Sequence, residues 1–109
     1  MPYVSIILLL LVAACLEAGG DAFVRAGLRA AGPSARVAWI GAGGIALLLY
    51  GCFVNLLPWE FGKSLGIYIV LFFVTAQIIS AWAFDQPPTT ATWVGGALIV
   101  AGGVVVSWP

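Results

Sequence analysis

Four long apolar segments, separated by short polar connections, occupy almost the whole chain. A helix that spans a membrane needs about 20 apolar residues, and we predict four such helices at about 3–26, 37–57, 64–84 and 92–108. In lipid, only helices and closed barrels satisfy their backbone polar groups, and runs of this length are too long for barrel strands. The sequence therefore predicts an all-α integral membrane protein: one four-helix transmembrane domain over residues 1–109, with short loops.

The few charged residues support this assignment and exclude several functions. They make up 7% of the chain, whereas a soluble domain carries roughly 25%. The net charge is zero, no basic run suggests nucleic acid, and there is no histidine. Cys15 and Cys52 lie in apolar runs without a CxxC spacing, so we interpret both as packing residues. We expect a protein that is not an enzyme and that uses no metal, no cofactor and no nucleic acid.

The basic residues predict how the helices are oriented. Arg25, Arg29 and Arg36 lie on or beside the first connection, whereas Lys63 alone lies on the side of the termini. Cytoplasmic loops are enriched in Lys and Arg, so the first connection is expected in the cytoplasm. Because the excess is small, dual insertion stays open. The aromatic residues near the predicted helix ends are expected among the lipid head groups: Trp59, Trp82, Trp93 and Trp108.

Glu17 is the acidic residue that lies well inside an apolar run. An ionisable group at membrane depth is costly and is by default a candidate functional group. A carboxyl in such surroundings can hold a proton or a cation but not both, which is the chemistry of a proton-coupled exchanger. The alternative is a permanently protonated Glu17 that hydrogen-bonds a neighbouring helix.

Asp21 lies four residues after Glu17 on the same helix face, and Arg25 follows four residues later. Two arrangements are open. Asp21 can pair with Arg25 near the helix end, which its position close to the interface favours, or it can join Glu17 in a site with two carboxylates. In the second case the two acids would titrate as a pair.

Three further residues complete the candidate proton- and substrate-binding set. Gly20 is small enough to open a cavity or to allow close helix approach. Tyr68 and Thr75 are seven residues apart on one face of the third helix, where Tyr68 could hydrogen-bond Glu17. Hydrogen bonding between helices is the alternative role for both. The fourth helix has no ionisable group, and its small-residue spacing predicts subunit packing through Gly95, Leu98, Ile99, Gly102 and Gly103.

These residues resemble the small multidrug resistance family of the drug/metabolite transporter superfamily, over nearly the whole chain. The first-helix pattern E-x-x-G-x-x-x-x-[KR] is met by Glu17, Gly20 and Arg25. The fourth-helix pattern G-x-x-L-I-x-x-G-[VG] is met by the residues just given for subunit packing. One departure is that Tyr68 and Leu65 stand where the family has Trp and Tyr, so its aromatic box is half present. Asp21 is a second departure.

The resemblance implies a drug/metabolite-transporter-like bundle in the bacterial cell inner membrane. It also implies a homodimer, often of antiparallel protomers, which exchanges protons for small cationic substrates at Glu17. Two alternatives remain open: an accessory or structural subunit of a larger hetero-oligomeric membrane complex, and a subunit of a lipid flippase. The last would use Arg25, Arg29 or Arg36 to hold a head group.

Overall fold

A computed structural model describes residues 3–58 and 60–108, so the interfacial position predicted for Trp59 lies outside the described residues. The described residues form four α-helices and no strand. The helices are α1 (Tyr3–Leu28), α2 (Pro33–Asn55), α3 (Phe61–Ala83) and α4 (Thr90–Ser107). Each is long and apolar enough to cross a membrane. The predicted all-α protein with four spans is therefore confirmed.

Local capping chemistry explains where α2 and α4 begin. α2 begins at Pro33 rather than near Val37, because a proline at the first helical position sacrifices no hydrogen bond. α4 begins at Thr90, because the hydroxyl of Thr89 accepts a hydrogen bond from the backbone N–H of Thr92 at 3.2 Å.

The first and third connections lie at the same end of the molecule, because α1 and α3 both run toward it. Arg36 fastens the first connection: its Nε donates to the carbonyl of Ala30 at 3.1 Å and its Nη2 to that of Leu28 at 3.0 Å. These bonds satisfy carbonyls at the C-terminal end of α1 that have no partner within the helix. Arg36 thus stabilises the connection between α1 and α2.

The helices pack in the spatial order α2–α1–α3–α4. α1 lies against both α2 and α3, whereas α4 packs on α3 and has no extensive contact with α1 or α2 among the described residues. The molecule is correspondingly flat, with extents of 50 × 35 × 18 Å. The apolar core lies between α1, α2 and α3, around Leu10, Ala13, Val54 and Tyr68. One face of α4 is therefore left without a partner in the described part of the chain.

The helices come closest to one another at glycines, which have no side chain to hold them apart. A Cβ on Gly43 of α2 would lie 2.7 Å from the carbonyl oxygen of Gly20, and one on Gly20 would lie 3.0 Å from the carbonyl oxygen of Gly43. α1 and α2 therefore touch backbone to backbone at this level, as small residues permit in membrane helices. Between α3 and α4, Gly96 receives the ring of Phe73 and Gly103 receives the side chain of Val70.

Candidate functional site

Glu17 meets the third helix through a hydrogen bond to Tyr68. The hydroxyl of Tyr68 donates to Oε1 of Glu17 at 2.9 Å, and it lies 3.5 Å from the carbonyl oxygen of Ala13. Glu17 lies about 21 Å along α1 from its first residue, at 1.5 Å per residue, which is near the middle of a span. The Tyr68 side chain is only 4% exposed. The structure thus brings together the two polar groups that the sequence suggested could meet.

Aromatic rings surround this hydrogen bond. The ring of Tyr68 stacks on Phe72 with 6.0 Å between centroids and lies 5.4 Å from the ring of Tyr50 on α2. The Tyr50 side chain interacts with both Glu17 and the Tyr68 hydroxyl. Three aromatic rings, two of them phenols, therefore lie around the hydrogen bond between Tyr68 and Glu17, in a core of otherwise apolar residues.

Tyr50 is a candidate site residue that the sequence interpretation missed. It is a polar aromatic residue in the apolar run of the second helix, and the short first connection makes α2 antiparallel to α1. Those two facts together place Tyr50 on the half of α2 that runs beside the N-terminal half of α1. With Tyr50 included, the aromatic enclosure comes from α2 as well as α3.

Gly20 and Thr75 have structural roles in this protomer. Gly20 is buried against Gly43 and Leu47 of α2, so it allows helix contact and does not open a cavity. The hydroxyl of Thr75 donates to the carbonyl of Leu71, one turn earlier in its own helix, at 2.8 Å. The contacts of Gly20 and Thr75 do not support a role in proton or substrate binding, and that role stays a prediction.

Asp21 and Arg25 line a groove between α1 and α3, with a volume of about 250 Å³. Within the described part of the chain they make no ion pair, contrary to the arrangement that the position of Asp21 close to the interface favoured. The reason is that the Arg25 guanidinium turns toward α3 and lies over the ring of Phe84, 5.2 Å from its centroid. Its Nε is buried and lacks a hydrogen-bond partner among the described residues. Asp21 itself is exposed in this groove.

The residues predicted to pack subunits divide between two faces of α4. Gly103 is buried inside the protomer against Val70 of α3. Gly95 and Gly102 have open space where a Cβ would lie, and Leu98 is 71% exposed. Gly103 is therefore a contact within the protomer, whereas Gly95, Leu98 and Gly102 remain available to another chain.

Comparisons with known proteins agree on one family. The model of the family described as "Uncharacterised BCR, YnfA/UPF0060 family" matches residues 3–108. A UPF0060 membrane protein of Mycobacterium marinum is 42% identical over 106 residues, covering 94% of this chain and 93% of that protein. A UPF0060 membrane protein of Kineococcus radiotolerans is 39% identical over 99 residues, covering 90% and 86%. No solved structure matches the chain significantly.

Proposed function

This chain belongs to the YnfA/UPF0060 family of membrane proteins, a family related to the drug/metabolite transporter superfamily, and we propose that it is a proton-coupled exporter of small cationic molecules. In this proposal protons and substrate compete for Glu17, and the protein resides in the bacterial inner membrane. It works as a homodimer of the small multidrug resistance type, and no step is enzymatic.

The observation that carries the proposal is the hydrogen-bonded Glu17 carboxyl near mid-membrane depth. A charged carboxylate in hydrocarbon is costly unless it is paired. The hydrogen bond from Tyr68 lowers that cost without neutralising the charge, and the Tyr50 ring packs beside Tyr68. The group therefore holds either a proton or a cation, and releasing one allows it to take up the other.

The rings beside Glu17 suit a cationic substrate. The faces of Tyr50, Tyr68 and Phe72 carry the negative end of the aromatic quadrupole, which attracts an organic cation. In a desolvated site such a contact contributes about 2 kcal/mol. The carboxylate supplies the charge, and the rings favour a diffuse, apolar cation over a hydrated metal ion.

Alternating access would come from two copies of the chain. A flat array of four helices does not by itself surround a path across the membrane. Two arrays facing each other would bring two Glu17 carboxyls together near the midplane, and rocking of one against the other would expose the site to each side in turn.

Glu17→Gln tests the proposal, because it removes the titratable proton and keeps nearly the same shape. The matched control is Glu60→Gln, which changes the other glutamate, an exposed residue at the start of α3. Both proteins are reconstituted into liposomes, and uptake of tetramethylammonium, methylammonium and tetraphenylphosphonium is driven by a pH gradient. We expect Glu17→Gln to abolish exchange and Glu60→Gln to retain it. Retained exchange in Glu17→Gln would refute the proposal.

The unpartnered face of α4 also favours a second candidate function, that of an accessory subunit in a larger membrane complex. Val94, Leu98 and Val105 are between 60% and 72% exposed on this helix, and a different protein could cover them as well as a second copy could. In that case Glu17 would be a protonated packing group. Purification in mild detergent separates the two: a homodimer supports the exporter, and stable co-purification with other chains supports the subunit.

A further inference from the structure

We propose that the groove between α1 and α3 binds a compact zwitterion that carries a phosphate beside an ammonium group. Arg25 would take the phosphate and Asp21 the ammonium. The ligand comes either from a phospholipid head group or from a free solute of the same chemistry. This site is distinct from Glu17 and does not depend on the function proposed for it.

Both charges in the groove are left open to a ligand. Asp21 and Arg25 are one turn apart on α1, but they do not pair with each other in the described structure, because Arg25 is held over Phe84. Its Nε is buried in the groove without a partner. A buried donor that lacks a partner carries a free-energy cost, which an anionic acceptor would remove.

The groove wall on α3 is fixed and carries no charge. The hydroxyl of Ser80 donates to the carbonyl of Gln86 at 3.1 Å, and the backbone N–H of Gln86 returns a bond to the carbonyl of Ser80 at 3.0 Å. Asp85 lies between them with φ of 52°, a conformation that aspartate tolerates. The chain thus turns back at the end of α3 and closes the groove beside Phe84.

The pairing of charges selects the ligand class. A guanidinium binds phosphate with two parallel N–H bonds, a geometry that an ammonium cannot supply. A simple anion would also meet the Asp21 carboxylate and be repelled by it, and a simple cation would meet Arg25. A zwitterion satisfies both groups. The site lies in the last two turns of α1, and the end of a spanning helix is expected near the lipid head groups.

The lipid source is tested by native mass spectrometry. The protein is purified in mild detergent with equal amounts of phosphatidylethanolamine and phosphatidylglycerol that have the same acyl chains. We expect the wild type to retain the ethanolamine lipid preferentially. Arg25→Gln and Asp21→Asn should each lower that retention about tenfold, the loss of one charge-assisted contact. Matched controls at the opposite end of the molecule, Lys63→Gln and Glu60→Gln, should retain the lipid as the wild type does.

The free source is tested by calorimetry in nanodiscs made only of phosphatidylglycerol. Phosphoethanolamine is the probe, and methyl phosphate and ethylamine carry its two charges separately. We expect the zwitterion to bind more tightly than either, with the same dependence on Arg25 and Asp21. The proposal is supported if binding is seen in either assay and is lost in both Arg25→Gln and Asp21→Asn. The assay in which binding is seen identifies the source of the ligand.

Two results would overturn the proposal. The first is equal retention of the two lipids together with no binding of phosphoethanolamine, and the second is binding that Arg25→Gln and Asp21→Asn leave unchanged. Circular dichroism checks that each variant is helical, and Asp21→Glu, which keeps the charge, should restore part of the binding. Glu17→Gln should bind the zwitterion normally even though it is expected to lose exchange, so the two proposals fail independently.

Discussion

The hydroxyl of Tyr68 and the carboxyl of Glu17 satisfy each other in a part of the protein that offers few other polar partners. In hydrocarbon, a polar group without a hydrogen bond costs several kcal/mol. Removing either member therefore leaves the other with fewer partners, and the consequences differ. Without Glu17 there is no group to exchange a proton, whereas without the Tyr68 hydroxyl the carboxyl remains but is held less firmly.

Tyr68→Phe separates these two effects, because it keeps the buried ring and removes only the hydroxyl. A hydrogen bond to a charged group contributes about 1.5–3 kcal/mol, so we expect the rate of cation exchange to fall about ten- to a hundredfold while the protein stays folded. Transport in proteoliposomes measures the effect. Tyr3→Phe, at the far end of α1, is the control and should transport normally. Unchanged exchange in Tyr68→Phe would show that the hydroxyl does not position the carboxyl.

Single residues also show what the sequence could and could not predict about the site. Glu17 stands out because a carboxyl inside an apolar run is costly, and that cost is visible in sequence. The contact that Arg25 makes is not visible in the sequence, since its spacing from Asp21 would allow an ion pair on α1 as readily as a contact with another helix. What decides it is Phe84, which is 59 positions away in the chain and comes beside Arg25 only after α3 packs on α1.

At the scale of helices, the contact between α1 and α2 depends on backbone meeting backbone at Gly20 and Gly43. Gly44, the next residue in α2, has open space where a Cβ would lie. The two neighbours therefore form a natural matched pair. Alanine favours a helix over glycine by about 1 kcal/mol wherever it fits, and at Gly43 it does not fit.

We expect Gly43→Ala to destabilise the protein by about 1–3 kcal/mol, the usual cost of forcing atoms into a packed interface. Gly44→Ala should be neutral or slightly stabilising. Helix content followed by circular dichroism during unfolding in a denaturing detergent compares the two. Equal stability of the two variants would mean that α1 and α2 can separate at this level without penalty.

Helix number and helix packing differ in how far the sequence determines them. Four apolar runs with polar connections predict four spans, and the structure has them. The spatial order α2–α1–α3–α4 could not be predicted, because every helix is apolar on nearly all sides and no periodicity marks an inward face. Tyr50 was missed for this reason: its role depends on which side of α2 meets α1.

At the scale of the whole molecule, the flat array leaves α4 at one edge with an exposed apolar face. In a bilayer, lipid can cover such a face, so exposure alone does not demand a partner. A transport pathway would need a partner subunit if the Glu17 site must open to both sides. The described helices of one protomer form an open array, which does not enclose such a pathway. The number of Glu17 carboxyls that one transport unit needs therefore depends on how many protomers assemble.

Mixed reconstitution measures that stoichiometry. Wild-type protein and Glu17→Gln are co-reconstituted at several ratios with the total protein constant. If exchange needs both carboxyls of a dimer, activity falls with the square of the wild-type fraction, because only dimers with two wild-type chains work. If each protomer works alone, activity falls in proportion to that fraction. Mixtures of wild type with Glu60→Gln should keep full activity at every ratio, which shows that any curvature arises from Glu17. A linear decline with Glu17→Gln would contradict a shared site.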